Sequence, residues 1–199
     1  MQGNINFQIL FPDSSRQVVE WNQIARSAPP SIEDQEKIVK EEIKELHQAI
    51  EDEDILEVLD AFADIFFTAA YLEHLDPDNN LCQKAVSLVN SGIRSLGHAV
   101  ITEAIMEVIE SNYTKFVNIN RAPYKHDESS LYQMIATEEE RIGRECGMDV
   151  RGVVLGDYLV FLDENNKVKK PFTYLEPKLE PILETHLNIK NKEKRLAEI

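Results

Sequence analysis

The sequence predicts a mainly α-helical protein, an antiparallel helical bundle with a small β-hairpin appended near its C-terminus. Through the first two-thirds of the 199 residues, apolar side chains recur at the three- to four-residue spacing of amphipathic helices. Helix-starting residues precede these segments, and short polar links separate them. In the last third, a segment around residues 156–172 alternates apolar and polar side chains, which is typical of strands.

Five helices are expected before residue 120. The first begins with Ser14 or Ser15 as its N-cap, and the second begins after Ser31, with acidic residues in its first turn. The acidic link "EDED" separates the second helix from a third that ends near Leu75, and "DPDNN" is a turn. The predicted helical ranges are about 14–25, 31–50, 55–75, 81–90 and 97–118.

After residue 121 the sequence no longer shows only the pattern of amphipathic helices. We expect a loop over 122–130, a short polar helix over 131–146 and a hairpin with its turn at Asp163–Asn166. A charged, partly disordered tail should follow. The expected organisation is a helical domain at 1–120, with the loop, short helix, hairpin and tail of 121–199 packed on it or extending from it as one domain overall.

Composition excludes several classes of protein. A net charge of −15 argues against a nucleic-acid partner, because such proteins present a basic face. No apolar run approaches the ~20 residues needed to span a bilayer, and the N-terminal stretch lacks the basic region of a signal peptide. Cys82 and Cys146 have no metal-site spacing and fit reduced thiols. We expect a cytoplasmic protein, bacterial or phage-encoded, with no nucleic-acid or membrane partner.

The third helix carries a charged stripe within an apolar surface. In "EVLDAFADIFF", residues 57–67, Glu57, Asp60 and Asp64 fall within an arc of roughly 60° on a helix. Apolar side chains cover most of the remaining circumference, which is the pattern of a buried helix. Unpaired carboxylates on such a helix would cost several kcal/mol each or would have to be protonated.

A second set of carboxylates lies on the preceding helix. Glu42 and Glu45 flank its apolar stripe, and Glu41 lies further out. Two helices joined by a short link pack antiparallel, so both sets can face one interface. Oxygen-only ligands favour Mg²⁺ or Mn²⁺ there. For Glu41 and Glu57, a solvated position on the rim is an equally good interpretation.

The fifth predicted helix ends in polar residues on its apolar face. Ile101, Ile105 and Val108 share one face, which continues into Asn112 and Lys115. An ammonium group beside a metal-binding cluster is a common way to hold a polyphosphate. The alternative is a lysine whose stem is buried and whose charged end reaches water.

These segments, in this order, resemble a known family. "EEIKEL" (41–46), "EVLDAFADIFF" and "SNYTKF" (111–116) are similar to the MazG-like branch of the all-α nucleoside triphosphate pyrophosphatases, which are related to phosphoribosyl-ATP pyrophosphohydrolase. "NKVKKPFTYLEPKLEPIL" (166–183) resembles a Lys-Pro tail found in the same branch. The resemblance covers roughly residues 15–120 and 165–184.

The resemblance implies a bundle of the all-α NTP pyrophosphatase type and a Mg²⁺-dependent reaction, NTP + H₂O → NMP + PPi, with Mn²⁺ as a possible substitute. The family pattern is Glu-Glu-x-x-Glu followed by Glu-x-x-Asp. The second part matches Glu57-x-x-Asp60 literally, but Asp64 better matches the family's Asp before an apolar run. The expected metal ligands are Glu42, Glu45, Asp60 and Asp64, with Glu57 in reserve.

The remaining roles follow from the same resemblance. Glu41 or Glu57 would orient or deprotonate the attacking water, Lys115 would neutralise phosphate charge, and Asn112 would hydrogen-bond sugar or phosphate. Trp21 and Asn22 are candidates for stacking on and reading the base, although a Trp on an amphipathic helix is usually a core residue. The family implies a homodimer or homotetramer. Two alternatives stay open: a non-catalytic nucleotide- or partner-binding module, and a pyrophosphohydrolase of a nucleotide-linked biosynthetic intermediate.

Overall fold

The computed structural model describes residues 6–121 and 128–186 and is mainly α-helical, which confirms the predicted fold class. In the described ranges the helices are α1 Phe7–Leu10, α2 Pro12–Ala25, α3 Ile32–Glu51, α4 Ile55–Leu75, α5 Asn80–Leu96, α6 His98–Tyr113, α7 Glu128–Cys146 and α8 Glu180–His186. The strands are β1 Val117–Asn118, β2 Val150–Leu155 and β3 Tyr158–Asp163.

The chain divides into two compact units. The helical unit comprises Met1–Glu20, Pro30–Ile109 and Pro177–Ile199, and the sheet unit comprises Trp21–Pro29 and Glu110–Glu176. Most of the loop predicted over 122–130 and the end of the charged tail lie outside the described residues. Within the two described ranges, no helix combines the length and the hydrophobicity that crossing a membrane would require.

In the helical unit, α3 and α4 form an antiparallel pair with well-defined ends. Ser31 caps α3 by accepting a hydrogen bond from the backbone N–H of Asp34, as the sequence predicts. Asp54 caps α4 by accepting from the backbone N–H groups of Leu56 and Glu57. Only residues 52–54 separate the helices, so they must run in opposite directions, and a buried hydrogen bond from Gln35 Nε2 to the Thr68 carbonyl (2.8 Å) joins them.

The centre of the helical unit is α4, which is buried for most of its length, as its apolar sequence predicts. The Phe66 ring makes edge contacts with Phe7 and Phe11 at centroid distances of 5.2 and 5.3 Å. On α5, a Cβ at Gly92 would lie 2.9 Å from the Phe62 ring. The glycine therefore allows α5 to approach α4 closely.

Three helix boundaries in this part of the chain differ from the sequence prediction. Helix α2 begins at Pro12, so Ser14 and Ser15 lie inside the helix and not at its N-cap. Helix α5 continues to Leu96 and ends at Gly97, whose positive φ of 105° suits a glycine. Helix α6 ends at Tyr113, five residues before the predicted end. There the Thr114 hydroxyl donates to the Ser111 carbonyl, and the backbone enters β1 at Val117. Lys115 consequently lies in a turn and does not extend the apolar face of α6, which corrects that expectation.

In the sheet unit, three antiparallel strands have the order β1-β3-β2. Val117, Leu159 and Phe161 pack with Ile142 of α7 in a small core. The predicted hairpin exists, but β3 pairs with the preceding strand β2 through a turn at Gly156. The turn predicted at 163–166 is also present and brings only Val168 back to Leu162 as an isolated bridge.

Candidate functional site

The α3 carboxylates differ in exposure. Glu42 lies on the same side of the helix as the buried Val39 and Leu46 and is itself half-buried. Glu41 and Glu45 are exposed. Of the three, Glu42 is therefore the carboxylate whose position is set by the packing of α3.

On α4, Asp60 and Asp64 interrupt a surface that is otherwise buried and apolar. Asp60 and Asp64 are half-buried, whereas Leu59, Phe62 and Ile65 between and beside them are fully buried. Glu57 is exposed in the first turn. The same face continues to Thr68, whose hydroxyl donates to the Asp64 carbonyl at 2.8 Å. Asp60 and Asp64 thus sit at the border between the α4 core and solvent.

The donor chemistry of this helix pair suits a hard divalent cation, because every candidate ligand is a carboxylate oxygen. The side-chain positions alone do not assemble a site. Across 6–121 and 128–186, no three or more His, Cys, Asp or Glu side chains are grouped so that they could hold a metal ion. The assignment of Glu42, Glu45, Asp60 and Asp64 as ligands therefore stays a prediction.

The sheet unit brings together three of the other predicted residues. Lys115 Nζ donates to Asn112 Oδ1 at 2.6 Å, and Asn112 is only 8% exposed. Trp21 Nε1 donates to the Asn112 backbone carbonyl at 2.9 Å. The amide, the ammonium group and the indole form one connected cluster at the end of α6.

Trp21 has the surroundings of a core residue. It is 4% exposed and stacks on Phe116 with a centroid distance of 5.2 Å and an interplanar angle of 23°. Its N–H and one ring face are thus already in contact with protein. Asn22 is equally buried at 4% exposure. Their assignment as base-reading residues stays a prediction.

Two residues of this cluster were missed by the sequence reasoning. Lys170 and Tyr174 lie on the Lys-Pro segment, and the ammonium groups of Lys115 and Lys170 lie 5.6 and 4.5 Å from the centroid of the Tyr174 ring. Two adjacent lysines followed closely by two aromatic residues in "KKPFTY" were the available signal. The tertiary contact that brings Lys115 to the same ring is not visible in sequence.

The buried thiol is not a candidate nucleophile. Burial, with the nearby carboxylates of Glu73, Asp76 and Glu36 in support, raises the pKa of Cys82 to about 12. A thiol with that pKa is protonated at neutral pH and is a poor nucleophile. Its Sγ faces the Ala69 carbonyl at 3.8 Å, which is a structural contact.

One comparison with known proteins gives a match to the helix pair. A model of the family described as phosphoribosyl-ATP pyrophosphohydrolase matches residues 23–76. This segment contains α3 and α4. The matching family belongs to the MazG-like all-α NTP pyrophosphohydrolase superfamily, which confirms the resemblance seen in the motifs. The match indicates a pyrophosphohydrolase. Searches of curated proteins and of solved structures each found no match.

Proposed function

We propose that this protein is a divalent-metal-dependent nucleoside triphosphate pyrophosphohydrolase that converts a (d)NTP and water into a (d)NMP and pyrophosphate. The observation that carries the proposal is the position of the family match, since residues 23–76 contain both helices with the conspicuous carboxylates. The half-burial of Asp60 and Asp64 on an otherwise buried helix supports it, because carboxylate oxygens at the border between core and solvent are suitable ligands for a hard cation.

The residues that would hold the cation are Glu42, Glu45, Asp60 and Asp64. When bound, Mg²⁺ would offset the charge of the triphosphate and polarise the phosphoryl group under attack. Because the described side chains do not assemble this site, binding has to draw the ligands together. Glutamate side chains reorient by ordinary rotamer changes, and Glu45 is exposed and free to do so.

The other residues act on water and on the substrate. Glu41 and Glu57 are exposed carboxylates on α3 and α4, and either would orient the attacking water and accept its proton. Lys115 neutralises charge on the phosphates. Asn112 accepts a hydrogen bond from the Lys115 ammonium through its Oδ1, and its amide would hydrogen-bond sugar or phosphate.

The test is a panel of NTPs and dNTPs with Mg²⁺, scored separately for pyrophosphate and orthophosphate. We expect pyrophosphate as the product. Asp64→Asn should lower turnover by more than ~100-fold, because loss of a metal ligand should exceed the ~10–100-fold cost of a second-shell change. Glu51→Gln, an exposed carboxylate at the end of α3, is the matched control and should keep full activity.

Two results would contradict the proposal. Near-full activity of Asp64→Asn would remove this residue from the site. If the wild-type protein releases pyrophosphate from no nucleotide in the presence of any divalent cation, the non-catalytic binding module becomes the better account.

A second candidate is supported by the description of the matching family. A model named for phosphoribosyl-ATP pyrophosphohydrolase matches the helix pair, and phosphoribosyl-ATP is a nucleotide-linked biosynthetic intermediate with the same triphosphate chemistry. Including this compound in the panel distinguishes the candidates by their relative kcat/KM. A preference of more than tenfold for phosphoribosyl-ATP over every NTP would favour the second candidate.

A further inference from the structure

A buried glutamine joins the two helices that carry the predicted metal ligands. Gln35 lies near the start of α3 and is 3% exposed. Its Nε2 donates to the Thr68 backbone carbonyl at 2.8 Å. Its Oε1 is also buried and has no hydrogen-bond partner within residues 6–121 and 128–186. Because a buried oxygen without a partner costs ~1–3 kcal/mol, an apolar side chain of similar size would serve the packing equally well. Packing of the helix pair therefore does not explain the amide.

The partner of this amide belongs to the part of α4 that carries Asp64. Thr68 lies one helical turn after Asp64, and its hydroxyl donates to the Asp64 backbone carbonyl at 2.8 Å. The two hydrogen bonds form a connected path from the Gln35 amide on α3, through Thr68, to the backbone of Asp64 on α4. All three residues belong to the helical unit. Gln35 is thus linked to the position of one predicted ligand.

The same bond fixes how far α3 is advanced along α4. Both helices rise 1.5 Å per residue and they run in opposite directions, so seven residues forward on α3 and seven residues back on α4 cover the same ~10 Å. These steps lead from Gln35 to Glu42 and from Thr68 to Ala61, which lies between Asp60 and Asp64 in the sequence. Seven residues are also close to two helical turns, which returns Glu42 to the side of α3 that carries Gln35. The bond therefore holds Glu42 at the height of the two aspartates.

We propose that Gln35 is a positioning residue for the cation site, because its bond to the Thr68 carbonyl holds α3 where Glu42 lies level with Asp60 and Asp64. The inference rests on the proposed function in one respect, since it takes these carboxylates as ligands of the cation. A slip of α3 by one residue would move Glu42 by ~1.5 Å along α4. Metal–ligand distances are set to within ~0.2 Å, so such a slip is large for a cation site.

The experiment is a calorimetric titration of Mn²⁺ into the full chain, run well below the unfolding temperature of each variant. Gln35→Met keeps an unbranched side chain of similar length and removes the Nε2 donor, and Gln35→Leu is a second apolar replacement in case methionine packs poorly. Gln48→Met is the matched control, because Gln48 is an exposed residue of the same helix whose Nε2 donates to Asp52. Thermal unfolding of the metal-free proteins, and kcat and KM for the best nucleotide, are measured in parallel.

We expect Gln35→Met to bind Mn²⁺ about tenfold more weakly, as is typical when a residue that orients metal ligands is lost. The Tm of the metal-free variant should stay within a few degrees of wild type, because removal of the unpaired oxygen offsets loss of the bond to Thr68. Gln48→Met should match wild type in both measurements.

Unchanged Mn²⁺ affinity in both Gln35 variants would overturn the inference, whether or not their Tm falls, since a fall in Tm alone would give Gln35 a structural role only. The pyrophosphohydrolase proposal would stand in that case if the wild type hydrolyses nucleotides. Conversely, weaker Mn²⁺ binding in the Gln35 variants of a protein that hydrolyses no nucleotide would support the positioning role and contradict the proposed function. Absence of saturable Mn²⁺ binding to the wild type would contradict both.

Discussion

Glu138 on α7 anchors the Lys-Pro segment, and its replacement gives the sharpest structural prediction. The residue is 5% exposed, and its Oε1 accepts a hydrogen bond from the backbone N–H of Phe172 at 2.6 Å. Its carboxylate also accepts from two nitrogens of the Arg141 guanidinium. In Glu138→Ala the Phe172 N–H loses this acceptor, and the ion pair between Glu138 and Arg141 is lost.

The magnitude follows from these contacts. A hydrogen bond to a charged group contributes ~1.5–3 kcal/mol, which is the expected cost at Phe172. Arg141 is about a third exposed and keeps both oxygens of Glu145, so the lost ion pair adds only up to ~1 kcal/mol. The free energy of unfolding should therefore fall by about 2–4 kcal/mol, which corresponds to a Tm shift on the order of 4–16 °C for a chain of this size.

Far-UV circular dichroism during thermal and urea unfolding measures this change. Glu140→Ala is the matched control, because Glu140 lies on the same helix with a side chain that is 72% exposed and pairs only loosely with Arg144. The control should stay within ~0.5 kcal/mol of wild type. If Glu138→Ala is as stable as Glu140→Ala, the buried carboxylate does not anchor the segment and the reasoning is wrong.

Four further outcomes are expected. A maleimide or disulfide reagent at pH 8 should label the half-buried Cys146 and spare Cys82 until denaturant is added; equal labelling rates would contradict the burial of Cys82. Burial raises the pKa of Cys82 in the folded state from its ordinary value of 9.0 to about 12. The contribution of Cys82 to stability is therefore complete below pH 9 and is lost as the pH rises towards 12, which unfolding of wild type and Cys82→Ala across this range would detect. Gly152→Val should destabilise by about 1–3 kcal/mol, since a Cβ there would lie 2.9 Å from Ile135, and unchanged urea unfolding would refute that. Sedimentation should give a dimer or tetramer, and a monomer at all concentrations would contradict the homo-oligomer that the resemblance implies.

The helix pair was predictable because its signals are local. Ser31 as an N-cap and the apolar spacing of α3 and α4 depend on residues within a few turns, and the structure places these elements as expected. The end of α6 was not predictable in this way. Its apolar spacing continues past Tyr113, but hydrogen bonds at Thr114 and pairing of β1 with β3 end the helix there.

The sheet unit shows the same limit of prediction from local sequence signals. Strand β2 escaped notice because "VRGVVL" carries a glycine and no strict alternation, and Gly152 is explained only by the Ile135 side chain of α7 above it. Asp163 Oδ1 accepts hydrogen bonds from the Asn165 and Lys167 N–H groups. The predicted turn is therefore present, although within the described residues no second long strand follows it. The pairing of Lys115 and Lys170 on Tyr174 depends on tertiary contacts between distant segments.

The central claim is that carboxylates of α3 and α4 bind a divalent cation. Manganese binding, followed by the electron paramagnetic resonance of free Mn²⁺, tests this directly on the full chain and on the double variant Asp60→Asn/Asp64→Asn. The account predicts saturable binding to the wild type, competition by Mg²⁺ and loss of binding in the double variant. Equal Mn²⁺ binding by both proteins, with unfolding curves that show both to be folded, would contradict it.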